Sequence, residues 1–216
     1  MSLFCPLCNS TDLKLIDSGE GREYFQCGEC SLVHVPFEYH LPKAQEKAVY
    51  DQHQNSPYDS RYRAFLDQLL LPLVSRLNPG ASGLDFGSGP GPTVSVILEE
   101  RGYKMEIYDK FYADNPAVLT KNYDFITTTE VVEHLARPGE ILNWLWEMIN
   151  PKGCLGIMTR LLPGTSEEFS SWHYKRDPTH ISFFAEQSLV WLAEKWQAKL
   201  SRYENVAIFE KMLIKH

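Results

Sequence analysis

Three sets of residues in this chain have the types and spacings that chemistry uses. The first runs from Gly83 to Gly91 and reads Gly-Leu-Asp-Phe-Gly-Ser-Gly-Pro-Gly. Gly87, Gly89 and Gly91 alternate with Ser88 and Pro90, and Asp85 stands two places before the first of them. Bare peptide lets a ligand touch backbone, and the helix predicted to follow offers unpaired N–H donors at its N-terminus. The spacing is not the G-x-G-x-x-G that carries a pyrophosphate, and no Gly-Lys-Ser/Thr ending marks a P-loop. A carboxylate at Asp85 suits a cationic group such as a ligand ammonium and would repel a phosphate. A second carboxylate, Asp109, ends the next predicted strand, where it can grip both hydroxyls of a ribose. A plain tight turn would account for the glycines alone. It does not account for strand, loop, helix and distal aspartate in that order.

The second set is Cys5-Pro6-Leu7-Cys8 and Cys27-Gly28-Glu29-Cys30, C-x2-C twice with 18 residues between. That spacing suits a four-thiolate zinc site. Four protein ligands leave no open position, so such a zinc is structural. So short a segment cannot bury enough core to fold unaided, and structural zinc supplies about 10 kcal/mol or more. His34 is either a spare ligand or, the preferred reading, a strand residue facing solvent. The third set is histidine. His134 follows a predicted strand, and His173 and His180 lie in Ser171–Phe184, which is dense in Trp, Tyr, Lys and Arg. A histidine, with its ordinary pKa near ~6.5, is the natural proton acceptor for a hydroxyl or acidic carbon. For His134 a packing role is preferred over a base. His180 is preferred over His173 as the base, with a hydrogen-bonded clasp of Asp177, Thr179 and His180 as the equal alternative.

These groups need a scaffold. Strands are predicted at Leu13–Ile16, Glu23–Gln26, Leu32–Val35, Gly83–Phe86, Lys104–Tyr108, Tyr123–Thr128 and Cys154–Thr159, with a Gly19-Glu20-Gly21 turn in the first pair. A closing hairpin is expected over Lys199–Tyr203 and Val206–Ile214. Helices are expected at Ala44–His53, from an Asp59 cap to Leu77 with a kink at Pro72, from Pro92 to before Gly102, at Pro138–Ile149 and at Glu186–Trp196. Residues 160–184 read as a loop. Only 13 residues separate Asp109 from Tyr123, too few for a helix, a strand and another helix, so a third strand should be shortened or missing. Asp114 and Asn115 are the candidates in that interval to take the place of a third-strand acid. Cys154, in a buried strand, is expected to pack as a small hydrophobe.

Asp85-x-Gly87-x-Gly89-x-Gly91 followed by Asp109 resembles motifs I and II of class I S-adenosylmethionine-dependent methyltransferases. Tyr123-Asp124-Phe125-Ile126 and Glu130-Val131-Val132-Glu133-His134-Leu135 resemble the branch that includes polyprenyl-benzoquinol methylases. The resemblance spans about residues 80–214. It implies an α/β, doubly wound Rossmann-like sheet with an antiparallel C-terminal hairpin, here with a shortened third-strand region and a small N-terminal zinc ribbon. It also implies that Ser88 and the glycines cup the methionine part of the cofactor. Asp109 and Lys110 would lie at the ribose, and Thr128, Thr129 and Glu130 would flank sulfonium and adenine. Tyr50, His53, Tyr58 and Tyr62 cluster upstream as a lid or as packing, with Tyr50 and Tyr62 the cofactor candidates. The expected division is a ribbon at 1–36, linker and lid-like helices at 37–78, and a cofactor-binding domain at 79–216.

Composition bounds the partners. The chain has 216 residues and a net charge of −7. Residues 1–34 carry Lys14 and Arg22 against Asp12, Asp17, Glu20, Glu23 and Glu29. A similar ribbon grips RNA in some ribosomal-RNA methyltransferases, but phosphate affinity needs the cations this one lacks. Nucleic acid is therefore not the expected partner. A small-molecule acceptor (O, C or N) is preferred over RNA, protein or cofactor binding without transfer. No apolar run is long enough to span a bilayer, and the N-terminal residues do not read as a signal peptide, so a cytoplasmic protein is expected. The acceptor and the oligomeric state are not written in the sequence.

Overall fold

A computed structural model describes residues 4–18, 21–52 and 55–213. The chain opens with β1 (Leu13–Asp17), β2 (Tyr24–Cys27) and β3 (Val33–His34), then α1 (Lys43–Tyr50) and α2 (Ser60–Val74). The core alternates: β4 (Ser82–Phe86), α3 (Thr93–Glu100), β5 (Lys104–Tyr108), β6 (Tyr123–Thr129), α4 (Pro138–Glu147) and β7 (Ile149–Met158). Then come α5 (Ser166–Ser171), β8 (Ser182–Phe183), α6 (Glu186–Trp196), β9 (Lys199–Tyr203) and β10 (Val206–Glu210).

Six strands form the main sheet in the order β5-β4-β6-β7-β10-β9. The first four are parallel, and β10 runs antiparallel to both β7 and β9. The parallel strands are apolar because both faces are covered. Leu66, Leu69, Leu70 and Leu73 of α2 pack with α3 on one face; Leu142, Leu145, Leu189 and Leu192 of α4 and α6 cover the other. Asp59 caps α2 by accepting from the Arg61 and Tyr62 amides, and Pro72 lies inside that helix. Between β5 and β6 the described residues hold one 3-10 turn, Pro116–Thr120, and no third strand.

The ribbon is joined to the body through a second sheet, β1-β2-β3-β8, whose last strand comes from the far end of the chain. Its cysteines share a core with α4 and α6. Gly139, in the first turn of α4, donates its amide to the Pro6 carbonyl at 3.1 Å. A Cβ there would sit 2.2 Å from the Leu7 oxygen, so only glycine permits the approach.

Several expectations are corrected. His34 does not face solvent: it is 3% exposed, stacks on Phe25 at 6.3 Å, and its Nε2 has no partner. The second sheet, extended by β8, covers it. Residues 160–184 are not a plain loop, because α5, the 3-10 turn His173–Arg176 and β8 lie within them. The strand expected from Cys154 begins at Ile149, since Asn150–Gly153 continues alongside β6 with an irregular register. His53, the Gly19-Glu20 half of the ribbon turn, and Ile214 lie outside the described residues.

Candidate active site

The carboxyl ends of β4, β5 and β6 converge on a cavity of about 430 Å³, a size suited to a nucleoside-sized ligand. Gly87, Ser88 and Gly89 line its floor. The Gly87 and Ser88 amides both donate to the Tyr108 carbonyl, at 2.8 and 3.2 Å, which bends the loop over β5. Gly87 has φ +81°, and a Cβ on it would meet Val131 at 2.4 Å. Backbone conformation and space both demand glycine there.

Asp109 lines the cavity and binds three amides: Gly89 at 3.0 Å through Oδ2, Phe111 at 2.8 Å and Tyr112 at 3.1 Å through Oδ1. It therefore ties the glycine loop to the next turn. Two carboxylate oxygens offer about four acceptor sites, so capacity for a ligand hydroxyl remains. Lys110 lines the same wall and reaches back to Glu46 of α1 at 2.7 Å. Tyr112 Oη donates to Asp51 just past α1 at 2.7 Å. These bonds lay α1 across the opening, with Tyr50, Tyr62, Asn55 and Phe65 facing in. Tyr58 is 94% exposed and points elsewhere.

On the opposite wall stand Thr129, Glu130, Val131, His134, Asp177 and His180. Glu130 has left-handed backbone, φ 54°, a strain of about 1–3 kcal/mol for a non-glycine residue that is typical of functional sites. Burial, then the charge of Glu133, pushes its carboxyl up to about 8. Glu133 lies wholly buried behind it, accepting from Tyr174 Oη and from Thr159 Oγ1 at 2.8 Å. Its own pKa is raised, chiefly by burial. Donor atoms of Glu133, His134 and His180 lie within 4.8 Å of one another, and the two imidazoles meet edge to face at 4.7 Å.

The tautomers follow from the partners. His180 Nδ1 bonds the Tyr174 carbonyl at 2.7 Å and His134 Nδ1 bonds the Thr179 carbonyl at 3.1 Å. A carbonyl only accepts, so each Nδ1 carries a proton and each Nε2 keeps its lone pair. Burial lowers both pKa values, His134 to about 4, and both rings are neutral at pH 7. Asp177 accepts from Thr179 N at 2.8 Å and from Thr179 Oγ1, so this part of the clasp is present beside a buried His180 ring that lines the cavity.

Not every expected residue reaches the cavity. Asp85, 3% exposed, lies behind the loop and accepts from Thr127 Oγ1 at 2.9 Å; burial pushes its pKa up to about 7. Gly91 and Thr128 sit outside the lining. His173 is exposed and accepts from Arg160 at 3.1 Å, away from the other two histidines. Asp114 and Asn115 do not line the cavity, and Asn115 instead caps the 3-10 turn through the Ala117 amide. Asn55, Phe65, Phe111, Tyr112 and Asp177 line it although no sequence signal marked them as cofactor contacts. Their order along the chain carries no spacing rule, since helix α2 delivers Phe65 and three separate connecting segments deliver the others.

Ser88 and Thr129 present buried hydroxyls at the cavity with no partner of their own. A native site rarely leaves such groups unpaired, and a polar ligand between the walls would satisfy them. The family described as a methyltransferase domain matches residues 58–200. The chain belongs to this methyltransferase family. No curated protein matches it in sequence. Among solved structures, the fold is similar to magnesium protoporphyrin IX methyltransferase from Synechocystis PCC 6803 with bound S-adenosylhomocysteine. Identity is 12%, with 78% of this chain and 94% of that one covered and a TM-score of 0.55. It is also similar to Burkholderia thailandensis 1,6-didemethyltoxoflavin-N1-methyltransferase, with bound 1,6-didemethyltoxoflavin and S-adenosylhomocysteine. There identity is 14%, coverage 94% and 100%, and the TM-score 0.50. At these identities the likeness is one of fold. The methyltransferase is of class I and uses S-adenosylmethionine.

The methyltransferase's four N-terminal thiols also converge. Cys5 and Cys30 sulfurs are 3.5 Å apart, as are Cys8 and Cys27, and all four lie within 4.8 Å of one another. A tetrahedral zinc with ~2.3 Å bonds sets its sulfurs about 3.8 Å apart. Each knuckle turns alike, with Asn9 N on Cys5 O and Ser31 N on Cys27 O, and with Asn9 and Ser31 at φ 65° and 59°. The donor set fits a structural zinc.

Proposed function

We propose that this enzyme methylates a neutral or cationic small molecule at an oxygen, carbon or nitrogen that must lose a proton, with His180 Nε2 receiving it. The supporting observation is the convergence of two neutral imidazoles and two carboxyls on the cavity beside the glycine loop. S-adenosylmethionine supplies an electrophilic methyl group on a cationic sulfur. The chain's own task is to bind, align and dehydrate. The Ser88 and Thr129 hydroxyls would hold the methionine part, Asp109 the ribose, and Tyr50 and Tyr62 would close the site. His180 Nε2 would take the proton that the acceptor loses, and the acceptor's electron pair would take up the methyl group that the cofactor supplies. Buried Glu133 beside the ring stabilises the imidazolium that results.

The choice of acceptor charge rests on the wall. Glu130 and Asp177 line it, Glu133 backs it, and the one lysine lining the cavity, Lys110, stands on the facing wall and is paired with Glu46. Glu130, raised to about 8, is mostly protonated at pH 7, so an acceptor carrying phosphate or carboxylate at its reacting end would meet like charge at Asp177. The four cysteines would hold a structural zinc. The test is turnover across a panel of phenols, amines and activated carbon acids. His180→Gln should lose about 10²–10⁴-fold in kcat while keeping its affinity for S-adenosylhomocysteine. Full activity in that variant would remove His180 as the proton acceptor.

A further inference from the structure

Several ribbon residues reach the acceptor wall, and one of them, Arg22, does so through four backbone carbonyls. Arg22, in the turn before β2, extends its guanidinium under the segment that carries His180. Its Nη1 donates to the carbonyls of Pro178 at 3.3 Å and His180 at 3.1 Å, and its Nη2 to those of Lys175 and of Asp177, the latter at 3.3 Å. Four backbone oxygens therefore face one cation. They crowd together because the 3-10 turn His173–Arg176 ends there, which leaves its last carbonyls without donors from a following turn, and because Pro178 has no N–H. A planar fork of N–H groups matches such a cluster; a lysine ammonium does not.

Around this contact the ribbon grips the same segment elsewhere. Lys175, 1% exposed, pairs with Asp17 of β1 at 2.5 Å, and the Val35 amide donates to the Ile181 carbonyl at 2.9 Å. β3 pairs with β8 through Val33–Phe183 and His34–Ser182. The His180 imidazole is anchored at both ends of the stretch so held: its own carbonyl is on Arg22, and its Nδ1 is on the Tyr174 carbonyl, one residue before Lys175.

We infer that Arg22 is a positioning residue for the acceptor half of the site, and that the ribbon serves as an internal strut holding His180, in place of a module for gripping nucleic acid. The inference takes the importance of His180 from the function proposed above, but the clamp can be tested without it. Among the described residues, Arg22 makes no hydrogen bond to a cavity-lining side chain of the cofactor half, so the two halves should respond separately.

The experiment compares wild type, Arg22→Met and Arg22→Lys as full-length chains, each with S-adenosylhomocysteine as probe and with 15N-labelled histidine. In Arg22→Met the His180 ring should lose the single Nδ1–H tautomer pattern in two-bond 1H–15N spectra. The Ile181 amide, bonded to the Glu133 carbonyl at 2.9 Å, should exchange at least about tenfold faster. Affinity for S-adenosylhomocysteine should stay within about twofold. Arg22→Lys should fall between, since charge alone restores part of the clamp, and it carries the test if the methionine variant does not fold. Unchanged His180 signals and Ile181 exchange in either variant would overturn the inference. So would an Arg22→Lys variant that loses cofactor affinity as steeply as it loses loop protection, because that reports general unfolding. Failure of His180→Gln to slow turnover would instead count against the proton-acceptor reading and leave the clamp standing.

Discussion

At the scale of residues, Asp85 makes the sharpest prediction. Its carboxyl is buried, with a pKa raised to about 7. A raised carboxyl stabilises the fold below its ordinary value, and that contribution is lost as pH rises through about 7. Asp85 lies behind the loop and not on the cavity surface. A ligand ammonium on the loop's other side still favours its ionised form through space, so binding S-adenosylhomocysteine near pH 6 should release protons. Affinity should rise with pH and level off near 7. Calorimetry in buffers of differing ionisation enthalpy reads this directly, and Asp85→Asn should abolish the linkage. No proton release in wild type would mean that Asp85 shapes the loop without acting on the ligand's charge. The histidines have the opposite sign. With pKa values below the ordinary ~6.5, they favour the fold above that pH, and the contribution fades as pH falls through the depressed values. The acid limb of kcat should accordingly lie below pH 6.5. A limb at or above that value would mean that the base is not a buried histidine.

At the scale of elements, close approaches decide more than propensities. Gly87→Ala would put a methyl against Val131 in a left-handed backbone. It should weaken S-adenosylhomocysteine binding by at least about tenfold, since the loop must shift to relieve about 1–3 kcal/mol of strain. Gly139→Ala would press on the ribbon's Leu7 carbonyl, lowering stability by about 1–3 kcal/mol in urea titrations with little change in cofactor affinity. Equal losses in both measurements for both variants would contradict this separation. The parallel strands and the helices of the body were legible because their apolar patterns and caps are local. Lys104–Tyr108 and Glu186–Trp196 match the structure end for end. The missing third strand was legible from chain length alone. His34 and the 160–184 segment were not, because what covers them, β3 against β8, is a contact between residues about 150 apart. The cavity's floor could be read from Gly87, Ser88, Gly89 and Asp109, whose spacing is dictated by one turn. Its far wall was legible only in pieces, since Glu130, Asp177 and Tyr174 meet through tertiary packing.

At the scale of the whole molecule, the ribbon and the methyltransferase body share one hydrophobic core and one sheet. No helix among the described residues is long and apolar enough to cross a membrane. If the four cysteines hold zinc, chelation should release strands β1 to β3 and with them the support of β8, while the glycine loop keeps its own bonds to Tyr108 and Asp109. Chelated enzyme should therefore lose turnover but keep S-adenosylhomocysteine affinity within about threefold. Retention of full turnover after the metal is gone would refute the strut. The central claim is that the cavity over Gly87–Gly89 binds a sulfur nucleoside. Calorimetry of S-adenosylhomocysteine with wild type and Asp109→Ala tests it most directly. One molecule should bind per chain, and the variant should lose roughly 1–3 kcal/mol. Equal affinity in both proteins, or tighter binding of a nicotinamide dinucleotide than of S-adenosylhomocysteine, would contradict it.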